Sequence, residues 1–147
     1  MALARFIEKV SRLLLKPPSA EAPHLELGRR GEELAASYLK RNGYKVLRQN
    51  FRAPRGGEID LVCRDKRHNE LVFVEVKTRT SEAFGRPFDA VNQKKRRLLI
   101  RGAMAWLRML EMPDITFRFD VVEVIDTSPP EIRVLENAFQ LPDSYSY

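Results

Sequence analysis

The feature that most constrains the fold is a run at residues 71–78 that is apolar on both of its faces. Such a run predicts a central β-strand covered on both sides, because a strand with one face in water alternates between apolar and polar residues. Glu75 and Lys77 interrupt it. Side chains two positions apart in a strand share a face, so this pair continues the face of Leu71 and Phe73. Charges there are costly to desolvate, and this cost indicates a functional role.

The remaining patterns predict an α/β fold: a mixed β-sheet flanked by helices, in the order helix, three strands, helix, two strands. In the strand at 58–64, Ile59, Leu61 and Cys63 are predicted to share one face. The predicted elements are helices at 26–42 and 91–110 and strands at 44–51, 58–64, 71–78, 116–125 and 131–135.

The chain of 147 residues is long enough for one ordinary domain. We expect an N-terminal amphipathic extension and linker at 1–24, the folded domain at 25–136 and a frayed C-terminal tail at 137–147. Cys63 is the single cysteine, and no signal peptide or run of about 18 apolar residues is evident. These features predict a cytoplasmic protein without a transmembrane segment.

Charge is distributed unevenly along the chain. Residues 1–110 contain 24 basic and 12 acidic side chains, whereas residues 111–147 contain 2 basic and 8 acidic ones. A basic body indicates a polyanionic partner, either nucleic acid or an anionic membrane surface. A well-solvated basic surface with no such partner accounts for the totals equally well.

Asp60 lies between Ile59 and Leu61 in the preceding strand. If the two strands are hairpin neighbours, Asp60 lies beside Glu75. Two adjacent carboxylates repel each other unless a cation lies between them, and oxygen ligands favour Mg²⁺ or Mn²⁺. With Lys77 beside that ion, the set describes phosphodiester hydrolysis. The alternative is an ordinary solvated ion pair of Glu75 with Lys77, next to an aspartate that serves only the turn.

Five sequence blocks together form a distinctive pattern. They are Gly31-Glu32-Glu33-Leu34-Ala35, Tyr38-Leu39, Gly43-Tyr44, Gly57-Glu58-Ile59-Asp60-Leu61 and Phe73-Val74-Glu75-Val76-Lys77-Thr78-Arg79. This pattern resembles the YraN-like bacterial family. That family belongs to the restriction-endonuclease-like superfamily, with its PD-(D/E)XK signature, and is similar to archaeal Holliday-junction resolvases.

The resemblance implies a restriction-endonuclease-like fold and a role for each matching position. Asp60 and Glu75 match the metal-binding acids, the Val76 carbonyl is a further ligand, and Lys77 matches the catalytic lysine. Glu32 matches an acid on the first helix that assists the metal. Further expected helpers are Glu58 and Gln93; Lys95 holds the lysine position of a Lys-Gln pair usual in the family, with Arg96 where glutamine is usual.

The second helix has a basic stripe that we expect to contact phosphates. Lys94, Arg97, Arg101 and Arg108 recur at helical spacing, and Lys95 and Arg79 are further expected contacts. Trp106 belongs to the apolar stripe and is expected in the core. Phe84, in the loop after the 71–78 strand, is the better candidate for a base or sugar contact.

The sequence therefore favours a Mg²⁺- or Mn²⁺-dependent endonuclease acting on nucleic acid, DNA first, with structured or branched DNA favoured only through the resolvase similarity. One alternative is a nucleic-acid-binding module without catalysis. Another is a peripheral membrane or scaffold protein that uses residues 1–16. Whether the protein forms a homo-oligomer is left open.

Overall fold

The central strand is β3, Glu70–Arg79, and it lies in the middle of a five-stranded sheet. We analysed a computed structural model that describes residues 23–80 and 92–145. Residues 1–16 of the predicted N-terminal amphipathic extension and Phe84 lie outside the described residues. Along the chain the elements are α1 (Pro23–Arg41), β1 (Tyr44–Arg52), β2 (Glu58–Asp65), β3, α2 (Gln93–Met109), β4 (Phe117–Ile125) and β5 (Glu131–Phe139).

The sheet order is β1-β2-β3-β4-β5, and the predicted α/β class with its mixed sheet is confirmed. Antiparallel ladders join β1 to β2, β2 to β3 and β4 to β5, and a parallel ladder joins β3 to β4. The parallel pair requires a crossover, which α2 supplies. Consequently α2 starts near the carboxyl end of β3 and runs back over the sheet.

Each face of the sheet carries its own apolar cluster. On one face, Ala35 and Leu39 of α1 pack with Cys63, Val74 and Val122 of the strands. The opposite face packs against α2 and contains the large aromatic side chains Phe51, Phe73, Trp106 and Phe119. Trp106 is fully buried, with its ring 5.2 Å from that of Phe51, so its assignment to the core is confirmed.

The prediction that Ile59, Leu61 and Cys63 share a face is wrong. Leu61 and Cys63 pack on the α1 side of the sheet, whereas Ile59 packs on the α2 side, against Gly102. The regular pairing of β2 with β3 begins at Leu61 opposite Val74, so the chain is released from that ladder before this point. The alternation of a flat strand therefore does not extend back to Ile59.

β5 is four residues longer than predicted, because it continues through Phe139. The ring of Phe139 stacks on that of Phe119 at 4.7 Å, and the guanidinium of Arg96 lies 5.5 Å from its centre. Residues 137–139 are thus part of the sheet and not of a frayed tail. Among the described residues, no helix has the length and apolar character needed to cross a bilayer.

Candidate functional site

The candidate site lies where β2 separates from β3. Their ladder would place Asp60 opposite Glu75, but the last regular pair is Leu61 with Val74. Asp60 fills the gap: its Oδ2 accepts a hydrogen bond of 2.7 Å from the backbone N–H of Val76. In an extended strand the N–H and C=O of one residue face the same neighbouring strand, so the Val76 carbonyl also faces this gap.

Asp60 and Glu75 form a close acidic pair, near enough to share a hydrogen bond. Burial raises the pKa of Asp60 well above its usual range; the negative charges of Glu75 and, more weakly, Glu32 raise it further. The hydrogen bond from Val76 N–H opposes that rise. The site is therefore a pocket of negative charge that attracts a proton or another cation.

Two lysines reach the same oxygen of Glu75. The Nζ atoms of Lys77 and Lys95 each lie 3.5 Å from Glu75 Oε1. The Glu75 side chain is only 5% exposed, whereas those of Lys77 and Lys95 are 24% and 40% exposed. The fold thus brings together the predicted residues Asp60, Glu75 and Lys77, and it adds Lys95 from α2.

Both helices pack closely against the strands that form the site. A Cβ atom on Gly31 would overlap Thr78 of β3, which holds the adjacent Glu32 beside the strand. Across the sheet, a Cβ on Gly57 would lie 2.5 Å from the backbone nitrogen of Gly102. Gly57 also has a φ of +120°, which side-chain-bearing residues rarely adopt. These contacts fix α1 and α2 against the strand ends that carry the acids.

The α2 N-terminus has its own local anchor. The side chain of Asn92 caps the helix by accepting a hydrogen bond of 3.0 Å from Lys95 N–H. Gln93 and Glu58 are both exposed, and Glu58 is paired with Arg52 in the β1–β2 ladder. Their predicted helper roles stay predictions.

The predicted basic stripe forms the outer face of α2. Lys94, Arg97, Arg101 and Arg108 are all exposed, and the helix contains no acidic residue. Arg101 also lies next to Gly56 in the β1–β2 turn, which carries the exposed Arg55. A continuous basic surface therefore begins beside the acidic pair.

Arg79 is placed differently from the other predicted phosphate contacts. Its Nε lies 3.0 Å from Oε1 of Glu123 on β4, and its side chain is 13% exposed. Glu123 is buried and lies opposite Lys77 in the β3–β4 ladder. It was not among the residues predicted from the sequence. An acid within an otherwise apolar strand, the signal that identified Glu75, would have found Glu123 as well.

A second charged cluster, at the opposite end of the sheet, was also missed. Buried Asp65 lies 3.0 Å from Arg118 Nη1 and 3.1 Å from Arg67 Nε, and Arg118 also pairs with Asp120. Tyr44 Oη accepts hydrogen bonds from both arginines. These groups satisfy one another, as expected of a structural network.

Fold and site together define an α/β protein whose central strand carries an acid and a lysine against a second acid from its neighbour. The model of the family described as "Uncharacterised protein family UPF0102" matches residues 31–124. The chain belongs to this family, which confirms the YraN-like resemblance. The matched region contains every residue of the acidic pair and both lysines.

Similar proteins of that family occur in several bacteria. A UPF0102 protein of Trichlorobacter lovleyi is 46% identical over 117 residues, which cover 78% of this chain and 91% of that protein. One from Geobacter sulfurreducens is 46% identical over 128 residues, covering 84% and 98% respectively. One from Thermodesulfovibrio yellowstonii is 43% identical, covering 78% and 96%. The names of these relatives give the family and no activity.

Proposed function

We propose that the protein is a divalent-metal-dependent nuclease that hydrolyses DNA phosphodiester bonds. The observation that carries this proposal is the meeting of Asp60, Glu75 and Lys77 at the point where β2 leaves β3. An acidic pair with a lysine beside it, half-enclosed and bordered by a basic helix, matches the needs of phosphoryl transfer.

The oxygen donors of the site fit a hard cation. Asp60 and Glu75 supply two carboxylates, and the Val76 carbonyl faces the same gap. Among the described residues no group of three or more histidine, cysteine or acidic side chains is arranged to hold a metal. Mg²⁺ is commonly held by one or two carboxylates and completes its coordination with waters and substrate phosphates. When bound, such an ion supplies Lewis-acid activation of water and phosphate.

The protein's own side chains have separable roles in this proposal. Asp60 is oriented by Val76 N–H, and Glu75 is oriented by the two lysines. Lys77 follows Glu75 on the same face of β3, so its ammonium group stands beside the acids. There it stabilises negative charge that develops on a phosphate during hydrolysis.

The basic face of α2 is the proposed DNA contact. Its exposed Lys94, Arg97, Arg101 and Arg108 meet a phosphate backbone without reading base sequence. Preference for structured or branched DNA rests on the resolvase similarity alone. A nucleic-acid-binding module without catalysis is the second candidate, favoured because the described residues contain no group of three or more histidine, cysteine or acidic side chains arranged to hold a metal.

The deciding experiment is cleavage of linear, nicked, flapped and four-way DNAs with Mg²⁺ or Mn²⁺. We expect metal-dependent products from the wild-type protein. Asp60→Asn should lower turnover by several orders of magnitude because it removes one of the two carboxylates that would hold the ion. In chelator, the same variant should bind DNA as tightly as wild type or more tightly, because it carries one fewer negative charge facing phosphate.

Asp114→Asn is the matched control, since it removes the same charge from an exposed position outside the site. Wild-type protein that binds DNA and cleaves no substrate with either metal would leave only the binding module. Equal cleavage by Asp60→Asn and wild type would place any observed activity at another site.

A further inference from the structure

Among the described residues, Glu75 has two ammonium partners, which come from different elements of the fold. Lys77 follows it in the same strand, whereas Lys95 reaches the same Oε1 atom from α2, in each case at 3.5 Å. Two positive charges on one carboxylate oxygen repel each other. Asp60 lies beside Glu75, so the two ammonium groups face a pair of acids and not one carboxyl group alone.

Lys95 is anchored at its backbone, whereas its ammonium group is held by an ion pair alone and is partly exposed to solvent. Its N–H is fixed by the Asn92 cap at 3.0 Å, but its side chain is 40% exposed, against 24% for Lys77. Its neighbours Lys94 and Arg97 point into solvent on a helix without acids. The long side chain of Lys95 therefore has two destinations within reach: the acidic pair and any anion that lies along α2.

We propose that Lys95 is a displaceable counter-ion, which neutralises Glu75 in the metal-free protein and moves onto a nucleic-acid phosphate when a divalent cation takes its place. This inference rests on the proposed function. A cation held by Asp60 and Glu75 would repel the nearby ammonium group of Lys95 and would take its place as the partner of the Glu75 carboxylate.

The consequence is that metal and nucleic acid bind cooperatively. Metal binding frees Lys95 to make one additional contact with a phosphate. Conversely, nucleic acid that holds Lys95 removes a positive charge that competes with the metal for Glu75. Thermodynamic linkage requires the two effects to be equal. Lys77, which belongs to the central strand and has the less exposed side chain, stays with the acids in both states.

The first test measures Mn²⁺ binding in the absence of nucleic acid. The electron-paramagnetic-resonance signal of free Mn²⁺ reports how much of the ion remains unbound. Lys95→Met keeps the aliphatic stem and removes the competing charge, so we expect Mn²⁺ to bind about three- to tenfold more tightly than to wild type. Lys94→Met removes the same charge one position away, where no ion pair with a described residue exists. Its Mn²⁺ affinity should stay within about twofold of wild type.

The second test compares the salt dependence of DNA binding in chelator and in Ca²⁺, with the DNA checked for integrity afterwards. The slope of log affinity against log salt concentration should become steeper when Ca²⁺ is added to wild type. This change should exceed the change in Lys95→Met by about 0.9, the amount expected for one phosphate contact. Lys94→Met should show the wild-type response to Ca²⁺ on a shallower slope in both conditions.

Each outcome is decisive. If Lys95→Met binds Mn²⁺ no more tightly than wild type, or if Ca²⁺ changes its slope as it does in wild type, Lys95 is not a displaceable counter-ion. That result leaves the nuclease proposal intact, provided that the wild type binds Mn²⁺ and cleaves DNA. A wild type that binds no Mn²⁺, with or without DNA, overturns the metal-dependent function and this inference together.

Discussion

Asp65 shows how a single buried carboxylate stabilises the end of the sheet remote from the candidate site. Burial alone would raise its pKa, but hydrogen bonds from Arg67, His68 and Arg118 outweigh this effect and hold the pKa well below its usual range. A carboxyl whose pKa is lower in the folded than in the unfolded protein contributes stability above its unfolded pKa of about 3.8. That contribution is lost as the pH falls below this value.

We therefore expect Asp65→Asn to lower the free energy of unfolding at pH 7 by about 3 kcal/mol, because it leaves Arg118, whose side chain is only 9% exposed, with one fewer partner. Urea unfolding between pH 7 and pH 3 measures this loss. The difference between variant and wild type should shrink as the pH falls below about 4. Asp143→Asn, at an exposed position, should match wild type throughout. A difference that is constant with pH would contradict the lowered pKa.

The sequence located the central residues of the site because their chemistry conflicts with their surroundings. Asp60, Glu75 and Lys77 are charged positions inside apolar strands, and strand periodicity placed them on one face or opposite one another. Lys95 was expected near phosphate, but its contact with Glu75 depends on how closely α2 approaches the sheet. That distance is set by Gly57 and Gly102, whose contact is invisible to any local pattern.

Among the elements, α1 offers a matched pair of glycines. A Cβ on Gly31 would lie 2.9 Å from Thr78 Cβ and would overlap its hydroxyl, whereas a Cβ on Gly28 meets nothing within 4 Å. Gly28→Ala should stabilise the protein by about 0.5–1 kcal/mol through helix propensity. Gly31→Ala should destabilise it by about 1–3 kcal/mol through overpacking and, by displacing Glu32, should also lower metal affinity.

Thermal unfolding of the two variants side by side measures the stability difference, and Mn²⁺ titration measures the effect on the site. Equal melting temperatures would mean that α1 shifts on β3 at no cost. A destabilised Gly31→Ala with wild-type Mn²⁺ affinity would show that Glu32 does not influence the acidic pair.

Element boundaries followed from the sequence wherever local signals set them. Gly43, with a φ of +88°, ends the first helical segment as the sequence indicated, and the Gly56-Gly57 turn starts β2. The predicted β5 ended too early because the strand pattern is interrupted near Asn137, which has a φ of +51° in the structure. Its N–H is satisfied by Asp120 Oδ1 at 2.9 Å, and the strand resumes to bring Phe139 onto Phe119. Both contacts join residues far apart in sequence.

At the scale of the whole molecule, the two ends of the sheet have different electrostatic characters. At the Asp60 end, two close acids and two lysines form the site, and the basic face of α2 lies beside them. At the Asp65 end, about 16 Å further along β2, acids and arginines pair with one another. The basic helix without acids thus lies at the end of the sheet where we propose that the nucleic acid binds.

This asymmetry makes a prediction about where salt-sensitive DNA binding originates. Replacing Lys94, Arg97 and Arg101 together by alanine should flatten the dependence of log affinity on log salt by about one unit for each phosphate that is no longer neutralised, about three in all.

The matched control uses three basic residues that are exposed at the Asp65 end and carry the same total charge: Lys40, Arg41 and Lys66. Their triple alanine variant should lower affinity slightly through net charge and keep the slope. Fluorescence anisotropy with a labelled duplex between about 50 and 200 mM salt measures both slopes. If the control variant loses the slope and the α2 variant keeps it, the DNA lies at the far end of the sheet, and the acids at Asp60 and Glu75 cannot reach its phosphates.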